Sequence, residues 1–238
     1  MGVMMVTVHT ISLGICNCYL VGDGDCYVLV DAGAAKKEKT FRAALGEKGI
    51  DPEWIKLIVV THVHYDHVGS LKAIRELCQC PIAVHKSEAS LLREGTVVLP
   101  RGTNVLGSTL MWLAHRLLNI HPQFFHFSPV EADIIITDEM SIDAYGIPGR
   151  IIPTPGHTEG SISIVLPGGE AFVGDLGINY LPFGAGPIFP PFADDVERLF
   201  QSWEYLLSQG VTVMFPAHGS SFGAVRLGEK LRELCSRT

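Results

Sequence analysis

Apolar residues in this chain gather into short runs, each closed by Gly, Pro, Asp or His. Val3–Thr10, Cys16–Val21, Tyr27–Asp31, Lys56–Val60 and Ile82–His85 read as strands. Between them the spacing predicts a helix over Lys36–Gly49. A second follows Asp66, where Val68, Leu71, Ile74 and Leu77 recur at every third position. The second half repeats the plan. Arg150–Pro153, Ser161–Leu166 and Glu170–Val173 read as strands, Asp194–Ser208 as a helix, Val211–Phe215 as a strand and Phe222–Cys235 as a terminal helix. Strands interspersed with helices predict packed sheets flanked by helices, an α/β (α+β) class. No linker, short repeat or low-complexity tract interrupts it, so residues 1–238 read as one domain in two related halves.

The stretch around residues 94–131 departs from this plan. Val105, Leu106, Leu110, Leu113, Leu117 and Leu118 can share one helical face, and Phe124, Phe125 and Phe127 follow. It reads as an apolar insertion packed on the sheets, with a lid, a pocket wall or a homodimer contact as alternatives. His115 and Arg116 lie within it, which makes it too polar and too short for a membrane span. His115, His121 and His126 read as surface or packing residues, and His85 as a structural residue near a strand end.

Candidate chemistry concentrates in Thr61-His-Val-His-Tyr-Asp-His-Val-Gly69, directly after the strand Lys56–Val60. Imidazoles and a carboxylate this close together are good ligands for a divalent metal. His62 and His64, two residues apart, share one side of an extended segment. Asp66 stands near the start of the following helix, where its charge is favoured. A strand, a turn and a helix therefore present two His one way and Asp66 with His67 another, which suits two neighbouring metals better than one. Three lone residues also end apolar stretches beside Gly or Pro: His157 in Pro155-Gly-His-Thr158, Asp175 after Gly174, and His218 in Pro216-Ala-His-Gly219.

In this order the motifs resemble those of the metallo-β-lactamase fold superfamily: His-x-His-x-Asp-His, then Gly-His, Gly-Asp and Ala-His. Asn17-Cys-Tyr-Leu-Val21 and Leu29-Val-Asp-Ala-Gly33 are also similar to that family's opening strands. The resemblance implies a four-layer αββα sandwich with the metal site at one edge of the two sheets. It implies one metal held by His62, His64 and His157, a second held by Asp66, His67 and His218, and Asp175 bridging both. Zinc is the expected pair, with iron or manganese as alternatives. The implied chemistry is a metal-dependent hydrolase: a hydroxide shared by the two metals attacks a small ester, thioester or lactone, with Asp66 and Asp175 as catalytic carboxylates.

Departures from subfamilies narrow the expectation. Arg at position 67 and Cys at 175, as in the commonest di-zinc β-lactamases, are both missing here, so antibiotic hydrolysis is not expected. Only a short tail follows His218, in place of the helical domain that binds glutathione in glyoxalase-II-type thioesterases. A mononuclear iron sulfur (persulfide) dioxygenase is the main alternative. A phosphodiesterase or nuclease and a non-catalytic binding protein rank below it.

Composition then limits partners. Hydrophobic residues make up 47% and charged residues 18% of 238, enough for a substantial core without disulfides. The net charge of −7 argues against a surface that tracks phosphates, so a small-molecule substrate is expected and nucleic acid is not. The N-terminus lacks a basic leader region, and Cys16/Cys18 and Cys78/Cys80 read as reduced core thiols, so a cytoplasmic location is expected. Gly177–Phe192, rich in Pro, Gly and Phe, reads as a substrate wall in which Tyr180 or Asn179 could donate to a developing oxyanion.

Overall fold

Strands β2 (Asn17–Gly22), β3 (Tyr27–Val30), β4 (Ile55–Val59) and β5 (Ile82–His85) are apolar on both faces, so alternate side chains enter different cores. Leu20, Leu29, Ile58 and Val84 join Phe41 and Leu45 of helix α1 (Glu38–Lys48) and Ile74 of helix α3 (Leu71–Cys78). Their neighbours Tyr19, Val28, Leu57 and Ala83 face the other way, into a cluster with Ile151, Ile164 and Phe172. Those three belong to β8 (Arg150–Pro153), β9 (Ile162–Val165) and β10 (Glu170–Gly174) of a second sheet. The outer face of that sheet, with Ile152, Ala171 and Val173, packs on Leu199, Trp203 and Leu206 of α5 (Val196–Ser208) and on Leu227 of α6 (Val225–Cys235). Two sheets back to back with helices outside each are the expected αββα sandwich. The computed structural model describes residues 6–98, 101–103, 109, 113, 126–179 and 188–236.

The first sheet runs β1-β2-β3-β4-β5-β6, between edge strands β1 (Thr7–Ser12) and β6 (Ile134–Ile136). The second runs β12-β11-β10-β9-β8-β7, from β12 (Phe222–Gly223) through β11 (Val213–Pro216) to β7 (Met140–Ser141). β3, β4, β5 and β6 pair in parallel, as do β10 and β11. β8 lies two strands from β10 through antiparallel β9 and so points the same way. The loops after β4, β8, β10 and β11 meet at one edge of the sandwich.

Several boundaries differ from those the sequence predicts. Helix α1 begins at Glu38, because Lys36 sits at φ 62° in the left-handed region and ends any helical run there. Phe222 and Gly223 pair with Met214 and Val213, so the last helix starts only at Val225. Asp195 caps α5, accepting from Arg198 N, and holds the helix start at Val196. β1 pairs through Ser12, past the expected end at Thr10. Most of the apolar insertion, with His115 and His121, lies outside the described residues. Among those described, His126 is exposed, and no helix is long and apolar enough to cross a membrane.

Trp203 is fully buried and its Nε1 donates to Leu176 O at 2.7 Å, tying α5 to the loop that carries Asp175. Trp203→Ala is expected to destabilise the fold by about 3–5 kcal/mol, as read by urea unfolding. A loss under about 1 kcal/mol would mean that the sandwich closes around the gap.

Candidate metal centre

The chain leaves β4 extended through His64 (φ −112°, ψ 154°) and turns at once into the short helix α2 (Tyr65–Val68). His62 and His64 thus lie before the turn and Asp66 and His67 within it, the strand-turn-helix expected from their spacing. Gly156, at φ 138°, packs so tightly on α5 that a Cβ there would stand 2.4 Å from Leu199 Cα; this close approach places His157. Gly174, at φ 53°, brings the end of β10 against β4, where a Cβ would meet Thr61 Oγ1 at 2.6 Å. Asp175 follows it, and His218 follows β11.

The expected ligand atoms fall into two groups, and Cys16, Asp31 and His67 form a third that shares His67. One atom from each of His62, His64, His157 and Asp175 lies within 4.8 Å of the others, and so does one from each of Asp66, His67 and His218. His64 Nδ1 stands 3.0 Å from His62 Nε2 and 3.1 Å from His157 Nε2. Asp175 faces both groups. Its Oδ1 is 3.5 Å from His67 Nε2 and 3.3 Å from His218 Nε2, and its Oδ2 is 3.7 Å from His157 Nε2. Asp66 Oδ2 lies 3.3 Å from His218 Nε2. His67 Nε2 and Asp175 Oδ1 are both buried without a hydrogen-bond partner. A cation between them would satisfy both, and nitrogen with carboxylate donors suits a divalent metal. The residues present therefore fit a divalent metal.

Electrostatics divides the cluster in the same way. Burial, reinforced by neighbouring imidazoles, holds His62 well below its ordinary pKa and pushes His64 down to about 3, so both are neutral. On the other side burial opposes charge, but Asp175 and Asp66 outweigh it at His218, raised to about 11. At His67 burial is likewise outweighed, by Cys16, Asp31 and Asp175. Asp175 is held well below the carboxylate range despite its burial, chiefly by His218 and His67.

Sequence reasoning missed the groups that hold these ligands. Asp31, buried at φ 61°, accepts from Thr61 N at 2.8 Å and from Thr61 Oγ1, while His67 Nδ1 stands 2.9 Å from its Oδ2. Glu88, just before helix α4 (Ala89–Glu94), is buried and accepts from Val63 N at 3.0 Å, between the two leading His. Phe192 O accepts from His157 Nδ1 and Ile15 O from His218 Nδ1, both at 2.9 Å. Such partners fix the tautomer and aim of an imidazole. The signal for Asp31 was its place after β3, the same strand-end position as the other site residues.

Of the other candidates, Asn179 commits its amide to Ser220 O and Oγ, at 3.1 and 2.9 Å. Tyr180 lies outside the described residues. His85 accepts from Ser87 N, away from the cluster. Cys16, Cys18, Cys78 and Cys80 are buried core thiols, with Cys16 Sγ 4.0 Å from His67 Nδ1.

A cavity of about 770 Å³ opens over the cluster. His64, Asp66, His157, Asp175 and His218 line its floor, and Ile15, Val97, Val98, Ile178, Pro190 and Phe192 are among its walls.

Comparison with known proteins gives consistent matches. The model of the metallo-beta-lactamase superfamily matches residues 11–218. A probable metallo-hydrolase of Methanocaldococcus jannaschii is 28% identical, over 85% of this chain and 87% of its own. The acyl-coenzyme A thioesterase MBLAC2 of Homo sapiens is 29% identical, over 72% of this chain and 58% of its own. Among solved structures, TTHA1623 in a di-iron-bound form superposes with a TM-score of 0.63 at 25% identity, over 94% of this chain and 98% of its own.

Proposed function

This chain belongs to the metallo-beta-lactamase superfamily, and on that premise we propose that it hydrolyses a small ester, thioester or lactone using two divalent metal ions. The observation that carries this reading is the pair of orphaned buried atoms, His67 Nε2 and Asp175 Oδ1. They stand 3.5 Å apart, and once His67 has lost its proton a cation held between them would take a lone pair from each. In this reading His62, His64 and His157 hold one ion, Asp66, His67 and His218 hold the other, and Asp175 touches both. When bound, the pair supplies a Lewis acid for the carbonyl oxygen and a water acidified toward neutrality. Asp66, on the cavity floor, receives a proton and returns it to the leaving group. Neutral His62 and His64 need lose no proton before they ligate.

The thioesterase activity named for MBLAC2 supports a thioester among the candidate substrates. The two irons named for TTHA1623 support a binuclear centre and keep iron beside zinc as the metal. A mononuclear iron dioxygenase would leave Asp66, His67 and His218 without a task. The test is elemental mass spectrometry of protein purified without added metal, followed by a panel of esters, thioesters and lactones. Two equivalents of zinc, or of another divalent metal, with hydrolysis of one panel class is the expected result. One equivalent of iron with oxygen uptake on a persulfide would overturn the proposal.

Asp31 supports this chemistry from behind. Asp31→Asn keeps the volume but removes the carboxylate facing His67, and is expected to lower metal affinity or activity about 10- to 100-fold. Competition with a chromophoric chelator reads the affinity. Unchanged affinity and activity would show that His67 needs no such anchor.

A further inference from the structure

The cavity over the ligand cluster is polar only on one side. Its floor is the cluster itself, while Ile15, Val97, Val98, Ile178, Pro190 and Phe192 present hydrocarbon above it. Ile15 is 66% exposed and Val98 55% exposed, unusually open for large apolar residues, and both stand in the wall of this one cavity. Scattered exposed apolar residues are ordinary, but apolar residues gathered around a concave site of this size mark a ligand surface. The polar side chains nearby are largely committed: Asn17 Nδ2 donates to Gly219 O at 2.8 Å, and Ser220 Oγ accepts from Asn179 Nδ2. The wall is also held in shape. Ile188, at φ 100°, pairs through its backbone with Ile178, which fixes the Ile178 side of the cavity.

We infer that the substrate of this site carries an apolar acyl chain, laid across Ile15 and Val98 with its carbonyl carbon at the His64–His157–Asp175 end of the cavity. This inference rests on the hydrolase reading and specifies its substrate class. The chain leaves water for hydrocarbon while the ester or thioester group remains on the polar floor. Each methylene buried contributes about 0.8 kcal/mol, which converts to nearly fourfold in kcat/KM. The gain is uniform binding of ground and transition states, so it enters through KM and leaves kcat nearly flat. The reaction is simple hydrolysis: water adds its hydroxyl to the acyl carbon, the bond to the leaving oxygen or sulfur breaks, and the leaving group departs with a proton.

The test uses the metal-loaded full chain and p-nitrophenyl esters of acetate, butyrate, hexanoate and octanoate. The expected result is a rise in kcat/KM of nearly fourfold per methylene, carried by KM, until the chain fills the cavity. Ile15→Glu and Val98→Glu are expected to flatten that rise with metal content unchanged by elemental analysis. Independently of turnover, octanoate should displace a fluorescent fatty acid from the protein where acetate does not, and both variants should weaken that displacement. Turnover of acetate with a flat or falling series would overturn the inference and leave the hydrolase reading standing. A metal-loaded protein that cleaves none of the esters, nor any thioester or lactone of the panel, would remove the hydrolase reading and this inference with it.

Discussion

Asp175→Ala is expected to lower kcat/KM by about a thousandfold or more and to reduce bound metal from two equivalents toward one. Asp175 is the side chain whose two oxygens face different ligand groups, Oδ1 toward His67 and His218 and Oδ2 toward His157. Removing it would take away the one carboxylate that faces both ligand groups, and with it the negative charge that would offset two neighbouring cations. The electrostatic stabilisation that a bound cation provides is worth several kcal/mol, and about 4 kcal/mol is a thousandfold in rate. Asp175→Asn keeps the volume and one acceptor but not the charge, and should fall between the variant and the parent. Elemental mass spectrometry and steady-state kinetics on the same samples check both parts. A variant that keeps both metals and full turnover would show that the carboxylate is dispensable to the cluster.

Removing the metal is expected to abolish turnover, and returning it at pH 7 is expected to release protons from His67 and His218. In the metal-free protein His218 titrates at about 11 and His67 well above the usual imidazole range. Both hold a proton at pH 7, and each must lose it before its nitrogen can ligate. His62 and His64 are shifted down, His64 to about 3, and are already neutral. Proton release is therefore expected from His67 and His218 and not from His62 or His64. The affinity of the Asp66–His67–His218 group rises with pH up to about 11, where His218 loses its proton unaided, and that group is the first to empty as pH falls. Titrating zinc into stripped protein in a weak buffer with a pH indicator reads the released protons directly. The loaded protein should also unfold later, by about 2.7 kcal/mol at a free metal concentration one hundred times Kd. Metal uptake without proton release would contradict this account.

The parts of this protein that could be read from sequence are those whose partners lie nearby in the chain. His62, His64, Asp66 and His67 announce themselves because one strand, one turn and one helical turn suffice to gather them. The alternation of Tyr19 with Leu20, Val28 with Leu29 and Leu57 with Ile58 likewise encodes two cores on the two faces of one sheet. His157, Asp175 and His218 carried no such local signature, and family resemblance supplied what local chemistry could not. Asp31 and Glu88 went unnoticed because their meaning exists only after folding. Asp31 meets Thr61 and His67 across the β3–β4 pairing, and Glu88 reaches Val63 from the turn after β5. The short strands β7 and β12, two residues each, are too brief to show a period. Asn179 was a reasonable donor on composition, but in the fold its amide serves Ser220.

The most direct test of the binuclear centre is anomalous diffraction from crystals grown with zinc, collected on both sides of the zinc absorption edge. Two peaks are expected at the sandwich edge, one among His62, His64 and His157 and one among Asp66, His67 and His218, with Asp175 in contact with both. A single peak in the first group, with His218 and Asp66 still bonded to each other and no density between His67 and Asp175, would contradict it.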